Sequence, residues 1–455
     1  MEGTSMQEGH FIRILGRRDV LFVSFGAMIG WSWVMMSGEW ISRAGSLGAM
    51  LAFAIGGIAI VLISLTYAEL ASAMPQAGGE HVYSHRALGF NGSFICTWAL
   101  VLAYLSVTSF EAVALPTVMT YLFPNFSQGY LWTIAGWDVT ATWVGMGVLG
   151  SIIMSWINIR GIKPAAVFQS IITLFIMAVG VMFFTGAGAV GDIGNMDPLF
   201  VGGAVGVMGV LIMVPTMFIG FDIIPQSAEE IDLPFGEIGK VLVVSVVMAV
   251  LWYVLIIFGV SLALDGAGRA AADLVTADAN AQLFGGNWAG TLLVLGGLAG
   301  ILSSWNAFVM GASRAIYAMA QSGMLPAFLG HLHPTHNTPR NAILVIGILS
   351  CLAPFFGRPV LVWLIDAGSF SVVIAYGMVA LSFLVLRHRE PDMDRPYRVR
   401  HGQMVGWSAL ILSIAMLYLY VPGSPAGLIW PYEWAIVLAW VALGVVMRLT
   451  ARPNP

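Results

Sequence analysis

An all-α integral membrane protein of twelve transmembrane helices is what this sequence predicts, on three observations. The first is composition: of 455 residues, 59% are hydrophobic and 9% are charged. A soluble domain carries about 25% charged residues, so this chain cannot present enough polar surface to water. The second is run length. Apolar stretches repeatedly reach the roughly 20 residues that cross a bilayer as a helix, where a membrane β-barrel would show short alternating segments. The third is the placement of basic residues, which divides cleanly between the two sides only for an even number of spans.

In chain order the spans are expected at 20–43, 47–74, 92–123, 139–158, 164–188, 203–229, 238–264, 287–320, 340–357, 359–387, 404–421 and 431–449. With the N-terminus in the cytoplasm, all but three of the 19 Lys and Arg fall on the inner side; Arg43, Arg269 and Arg358 are the exceptions. An odd number of spans destroys this partition. Both termini are therefore expected inside a multi-pass cytoplasmic (inner or plasma) membrane protein, with residues 1–19 as the N-terminal segment and 450–455 as the tail. The N-terminus lacks a signal-peptide pattern, so the first span is expected to stay. The loops are short. The longest external connection is 265–286, and the inner stretch 388–403, HREPDMDRPYRVRHGQ, sets the last two spans (404–449) apart from the first ten. His81 and His85 fall between spans 2 and 3 and are expected to face the cytoplasm.

Several chemistries find no support. Cys96 and Cys351 lie in apolar runs and suggest neither a disulfide framework nor a metal cluster. The glycines of GAGAVG at 186–191 do not follow a strand in a βαβ unit, so no nucleotide site is implied. Neither an enzyme activity, nor a cofactor, nor a nucleic-acid partner is expected; the expected partners are a small solute, a driving ion or counter-substrate, and membrane lipid.

Two spans carry an internal flaw. GAMIGWSW, residues 26–33, interrupts the first with Gly26 and Gly30; MFIGFD, residues 217–222, interrupts the sixth with Gly220. Paired Gly-interrupted segments at matching places in two halves point to an inverted-repeat transporter, whose broken helices expose backbone donors and acceptors at mid-membrane. Irregular backbone at that depth is tolerated only where it lines a cavity or is buried in protein. The competing explanation is close helix packing on small residues.

Four stretches carry a resemblance to the amino acid–polyamine–organocation (APC) superfamily: GAMIGWSW, YAELASAMPQAGGEHVYSHRALG at 67–89, FIGFDIIPQSAEEIDLP at 218–234, and NAFVMGASRAIYAMAQSGMLP at 306–326 followed by TPR at 338–340. The resemblance implies the leucine-transporter type of fold: residues 20–188 and 203–387 as two inverted repeats of five spans, with spans 1 and 6 broken. It departs from the family in two places. Trp31 stands where relatives carry a small residue, and Thr216 stands where many carry a gating aromatic.

The resemblance implies alternating-access transport of an amino acid, or of an organic amine or polyamine. A substrate carboxylate suits the backbone N–H groups of Gly30, Trp31 and Ser32, at the start of a half-helix. An ammonium suits free carbonyls near Ala27, Met28, Ile29 and Ile219. Tyr104, Thr108, Thr216, Phe218, Gly220, Phe221 and Trp305 are candidates for the rest of the pocket.

Ionisable residues inside a membrane are functional candidates by default. Glu69 suits an inner gate or a structural role in a partly wet position. Asp222 either binds a proton or caps loosened backbone. Glu39 either attracts an amine or pairs with Arg43 at i+4. Glu111 lies deep enough to need a proton or a hydrogen bond, and Asp366 is read as a cap at the start of span 10. Coupling stays open between a proton, exchange, and sodium held near Ser303 and Ser304. The lysine that some proton-coupled relatives carry within span 5 is missing, and Ile176 and Met177 stand near its expected place.

Overall fold

The first predicted span is three helices, not one. In the computed structural model, which describes residues 11–123, 125–272, 274–424 and 427–451, α1 (Arg17–Met28) ends where Ile29 leaves helical geometry (φ −104, ψ 68). After Gly30 and Trp31 the chain resumes as α2 (Ser32–Met35) and α3 (Ser37–Ala44). Then follow α4 (Ser46–Ala73), α5 (Glu80–Leu122), a hairpin of β1 (Tyr130–Ile134) and β2 (Trp137–Thr140), α6 (Ala141–Ile159) and α7 (Ile162–Val190). The sixth span is also divided, into α8 (Gly203–Leu211), α9 (Val214–Met217) and α10 (Ile223–Gln226). The remainder is α11 (Phe235–Ala263), α12 (Gly266–Ala271), α13 (Val275–Phe284), α14 (Asn287–Gln321), α15 (Arg340–Leu352), α16 (Val360–Arg389), α17 (Gly402–Tyr418) and α18 (Tyr432–Thr450).

Among the described residues, eight helices are long and apolar enough to cross a membrane: α4, α5, α6, α7, α11, α14, α16 and α18. Shorter apolar helical stretches lie at Gly203–Met217, Arg340–Phe356 and Gly402–Tyr418. Large apolar side chains such as Ile152, Ile171, Leu251, Ile411 and Leu449 point outward, as a bilayer solvent allows and water does not. The protein is thus an all-helical multi-pass membrane protein.

α1 runs through the middle, packed on α7, α11 and α14. A Cβ on Gly26 would lie 2.6 Å from Thr173 Oγ1 of α7 and collide with Ser303 of α14 as well. Gly26 therefore serves close packing inside an unbroken helix, not the loosening expected of it. Around this centre α4 lies on α11, and α5 on α14 and α16. α18 is clasped to α5 by stacked Trp98 and Trp440, each donating its indole N–H to the other's carbonyl.

Two expectations are corrected, and two connections carry structure of their own. Residues 80–88 are a helical turnback, not a wet loop: Gly89, at φ +71, bends α5 where an L side chain would strain. His81 is consequently buried, bonded to Ser322, Ser93 and Thr97, and only His85 stays exposed. The connection 265–286 holds α12 and α13, and Thr276 of α13 ties the later part of the first span through Ser37 and the Trp33 carbonyl. The stretch before α6 forms the hairpin, turning at Ala135 and Gly136 with positive φ at both, as tight hairpins require. Asp366 sits two turns inside α16, whose cap is Pro359, and faces Glu433 of α18. Residues 1–10 and 452–455 of the predicted terminal segments lie outside the described residues.

Candidate functional site

The two breaks rest on each other. Gly220 lies at φ +132, and a Cβ there would meet Ala27 Cβ at 2.7 Å and the Met28 nitrogen at 3.1 Å. Only glycine allows both that backbone and that approach. Beside this contact opens a cavity of about 80 Å³, lined from the first break by Ala27, Met28, Gly30, Trp31 and Ser32 and from the sixth span by Thr216, Met217 and Ile219. At roughly 10–15 Å³ per water, it has room for about five to eight small atoms.

Helical spacing brings the rest of the wall. Val107, Phe110 and Glu111 share one face of α5. Ser304 and Phe308 sit one turn apart on α14, and α16 supplies Leu364, Ile365, Gly368 and Ser369. Among the described residues, Glu111 is the one charged side chain in this lining. Its Oε1 lies 3.3 Å from where a Gly30 Cβ would stand, its Oε2 has no hydrogen-bond partner, and Ser304 faces it. Tyr253 of α11 bridges the first break: its hydroxyl donates to the Met28 carbonyl at 2.9 Å and meets Ser32 Oγ at 3.0 Å. The N–H groups that open α2 have no helical carbonyl four residues back, and they border the cavity.

The departures from the family pattern find local explanations. The Trp31 indole lies on Gly297 of α14, where a Cβ would overlap the ring; the bulk is accommodated by that glycine. Thr216 Oγ1 bonds Ser369 Oγ at 2.7 Å, linking the sixth span to α16.

Several expected pocket residues point elsewhere. Trp305 is fully buried against Gly150 of α6. Phe218 packs on Phe53 and Tyr253, and Phe221 on Tyr67 and Tyr376. Thr108 turns its hydroxyl back to the Leu105 carbonyl. Tyr104 donates to Asp222 Oδ2 at 2.7 Å, and Asp222 Oδ1 accepts from Gly220 N–H at 2.8 Å. Ile29 turns its carbonyl toward Gly300. Tyr253, Phe110, Phe308 and Ser369 escaped the sequence reading. A hydroxyl in the apolar run of α11 was the available signal for Tyr253, and the one-turn step from Ser304 for Phe308.

The remaining acids are spoken for. Glu39 pairs with Arg43 on the exposed face of α3. Glu69 is fully buried rather than partly wet: Arg387, Arg395 and the Val399 N–H all converge on it. Ser303 accepts at 2.5 Å from Gln169 Nε2 of α7, which also donates to the Phe22 carbonyl. Asn306 in turn donates to Gln169 Oε1 and accepts from Asn158. Gln169 and Thr173, rather than Ile176 or Met177, are thus the α7 residues that bond the first span beside Ser303.

A helical membrane protein whose two broken helices enclose a small mid-bundle pocket has the architecture of a solute carrier. The chain belongs to the amino acid permease family, whose model matches residues 15–446. It is 25% identical over 419 residues to the branched-chain amino acid permease of Bacillus subtilis (strain 168), covering 89% of this chain and 87% of that one. It is 24% identical over 447 residues to the methylthioribose transporter of the same organism, covering 96% and 92%. With the human cationic amino acid transporter 4 it shares 24% over 405 residues, covering 85% and 61%. The resemblance to the APC superfamily therefore holds, and the chain belongs to a family of membrane transporters rather than of enzymes.

Proposed function

We propose that this protein carries a small, neutral amino acid across the cytoplasmic membrane by alternating access, with the substrate held between the broken first and sixth spans. The observation that carries this is the cavity itself, built from both breaks and holding the single carboxylate of Glu111. In this reading the substrate ammonium lies against Glu111 and the carbonyls that the breaks expose near Ala27 and Ile219. Its carboxylate takes the N–H groups of Gly30, Trp31 and Ser32. Once Glu111 is used by the α-ammonium, the lining offers no second acid for a basic side chain and no base for an acidic one. The small volume and the apolar Phe110, Phe308 and Leu364 favour a short aliphatic side chain.

Twelve spans with both termini inside, the repeats 20–188 and 203–387, and a closing pair at 404–449 complete the proposal. The mutual contact of the two breaks supports the repeat. Sodium near Ser303 and Ser304 is disfavoured, because Gln169 places an amide donor where a cation would need oxygens. An organic amine is the second reading, favoured by Glu111 being the lone charge in the lining. Counterflow in proteoliposomes, with alanine and valine set against their decarboxylated amines, tests both. Competition by the amino acids supports the first; competition by the amines alone sinks it.

A further inference from the structure

We propose that Glu80 and Asp222 form a proton-binding pair behind the break of the sixth span, apart from the substrate cavity, and that the proton they take up and release drives transport. This deepens the transport reading above and rests on it. Both side chains are fully buried, and neither lines the cavity. Gln226, one turn after Asp222 at the start of α10, donates its amide to Glu80 Oε2, which brings the two acids to one place. Asp222 takes the Tyr104 hydroxyl and the Gly220 N–H.

Among the described residues, the groups that surround the pair supply it no cation. α4 contributes Tyr67, α5 contributes Tyr83, Cys96 and Tyr104, and α16 contributes Tyr376. The Arg314 guanidinium of α14 is used in a two-pronged bond to Glu230. His81 turns toward Ser93, Thr97 and Ser322. Two adjacent carboxylates in such a place repel each other and have lost their hydration, so a bound proton relieves both costs. The place for it is visible in unmet hydrogen bonds. Glu80 Oε1 and Gln226 Oε1 are both buried with no hydrogen-bond partner, and the Tyr67 hydroxyl faces Glu80. A proton on Glu80 supplies the donor that its own free oxygen and the Gln226 carbonyl lack. No bond other than O–H forms or breaks: one proton enters from one side and leaves to the other.

The link to transport is short. Asp222 holds the Gly220 N–H, and Gly220 rests on Ala27 and Met28 of the first break. Charge on the pair therefore bears on the contact between the two breaks. The test uses the full-length protein in proteoliposomes with a pH-sensitive dye and labelled alanine. Wild type is expected to move one proton per substrate and to accumulate alanine down a pH gradient. Glu80→Gln is expected to lose that accumulation at least ten-fold while alanine-for-alanine exchange persists. Exchange without proton movement in wild type, sodium-driven accumulation, or proton-driven accumulation intact in Glu80→Gln would each overturn the proposal while leaving the substrate reading standing. Infrared spectra decide the proton even if alanine is not carried. A protonated-carboxyl band present in wild type and lost in both Glu80→Gln and Asp222→Asn is expected, and its absence from wild type overturns the pair.

Discussion

Glu111 and Gly220 are two single residues on which the site turns. A carboxylate facing an ammonium is worth about 1.5–3 kcal/mol, so Glu111→Gln is expected to weaken alanine binding roughly 10- to 100-fold. Calorimetry on detergent-purified protein checks this, and unchanged affinity would remove Glu111 from the site. Gly220→Ala meets two obstacles at once: a backbone at φ +132 and the Ala27 Cβ at 2.7 Å. The strain is a few kcal/mol, and the expected result is a clear fall in melting temperature with transport lost. At this scale the sequence was legible where chemistry is local. Gly30, Ser32 and Gly220 declare themselves because a helix former would otherwise stand there. Tyr253 and Ser369 did not, because a hydroxyl in an apolar run has the same letter whether it bonds its own helix or a neighbouring break. Glu80 stayed hidden for another reason. Its stretch, GGEHVYSHR, has the polarity of a surface loop, and only the bend at Gly89 folds it inward.

Elements meet through matched losses of volume. Trp31 of the first break fits because Gly297 of α14 has no side chain. Gly297→Ala should therefore destabilise by about 1–3 kcal/mol through overpacking. In a Trp31→Ala background the same substitution should cost little, and thermal melts of the four proteins measure that coupling. Additive losses would mean that the two residues do not share the slot. The sequence supplied the intruding indole at position 31 but not its receptor, because Gly297 lies 266 positions along the chain, beyond any periodicity. The long helices α4, α7, α11 and α16 were readable for the opposite reason: a run of about 20 apolar residues needs no partner to be recognised. Helical structure in 265–286 was masked by short length, since a ten-residue helix such as α13 is stabilised by docking, not by propensity.

Across the whole molecule, charge at one end of the bundle locks separate parts of the chain together. Glu69 of α4 gathers Arg387 of α16 and Arg395 of the connector beyond it. Removing one partner of a buried pair costs about 3–5 kcal/mol, so Glu69→Gln should unfold the protein well below the wild-type melting temperature. At the same end, Arg86 bonds Glu390 at 2.5 and 3.0 Å in an exposed position. That hydrogen bond holds the Glu390 carboxyl below its ordinary range. A depressed carboxyl stabilises above its unfolded value and loses the contribution as pH falls through its folded value. The melting gap between wild type and Glu390→Gln should therefore be small but present at neutral pH and close in acid or high salt; a gap that persists in acid would assign the effect elsewhere. The same end also bears the N-terminal strap. Ile14 and Leu15 donate to the Glu230 carbonyl, Asp232 donates back to Leu15, and Phe11 lies on Tyr317 and under Arg314. Read as a timetable of synthesis, this makes the beginning of the chain wait for its seat. At roughly 5–20 residues per second, residues 14 and 15 are joined to the chain about 10–40 s before Glu230 exists to receive them, and Arg314 comes later still. α1 must therefore enter the membrane with its strap unfastened, and the nascent protein is latched only after α10 and α14 have arrived.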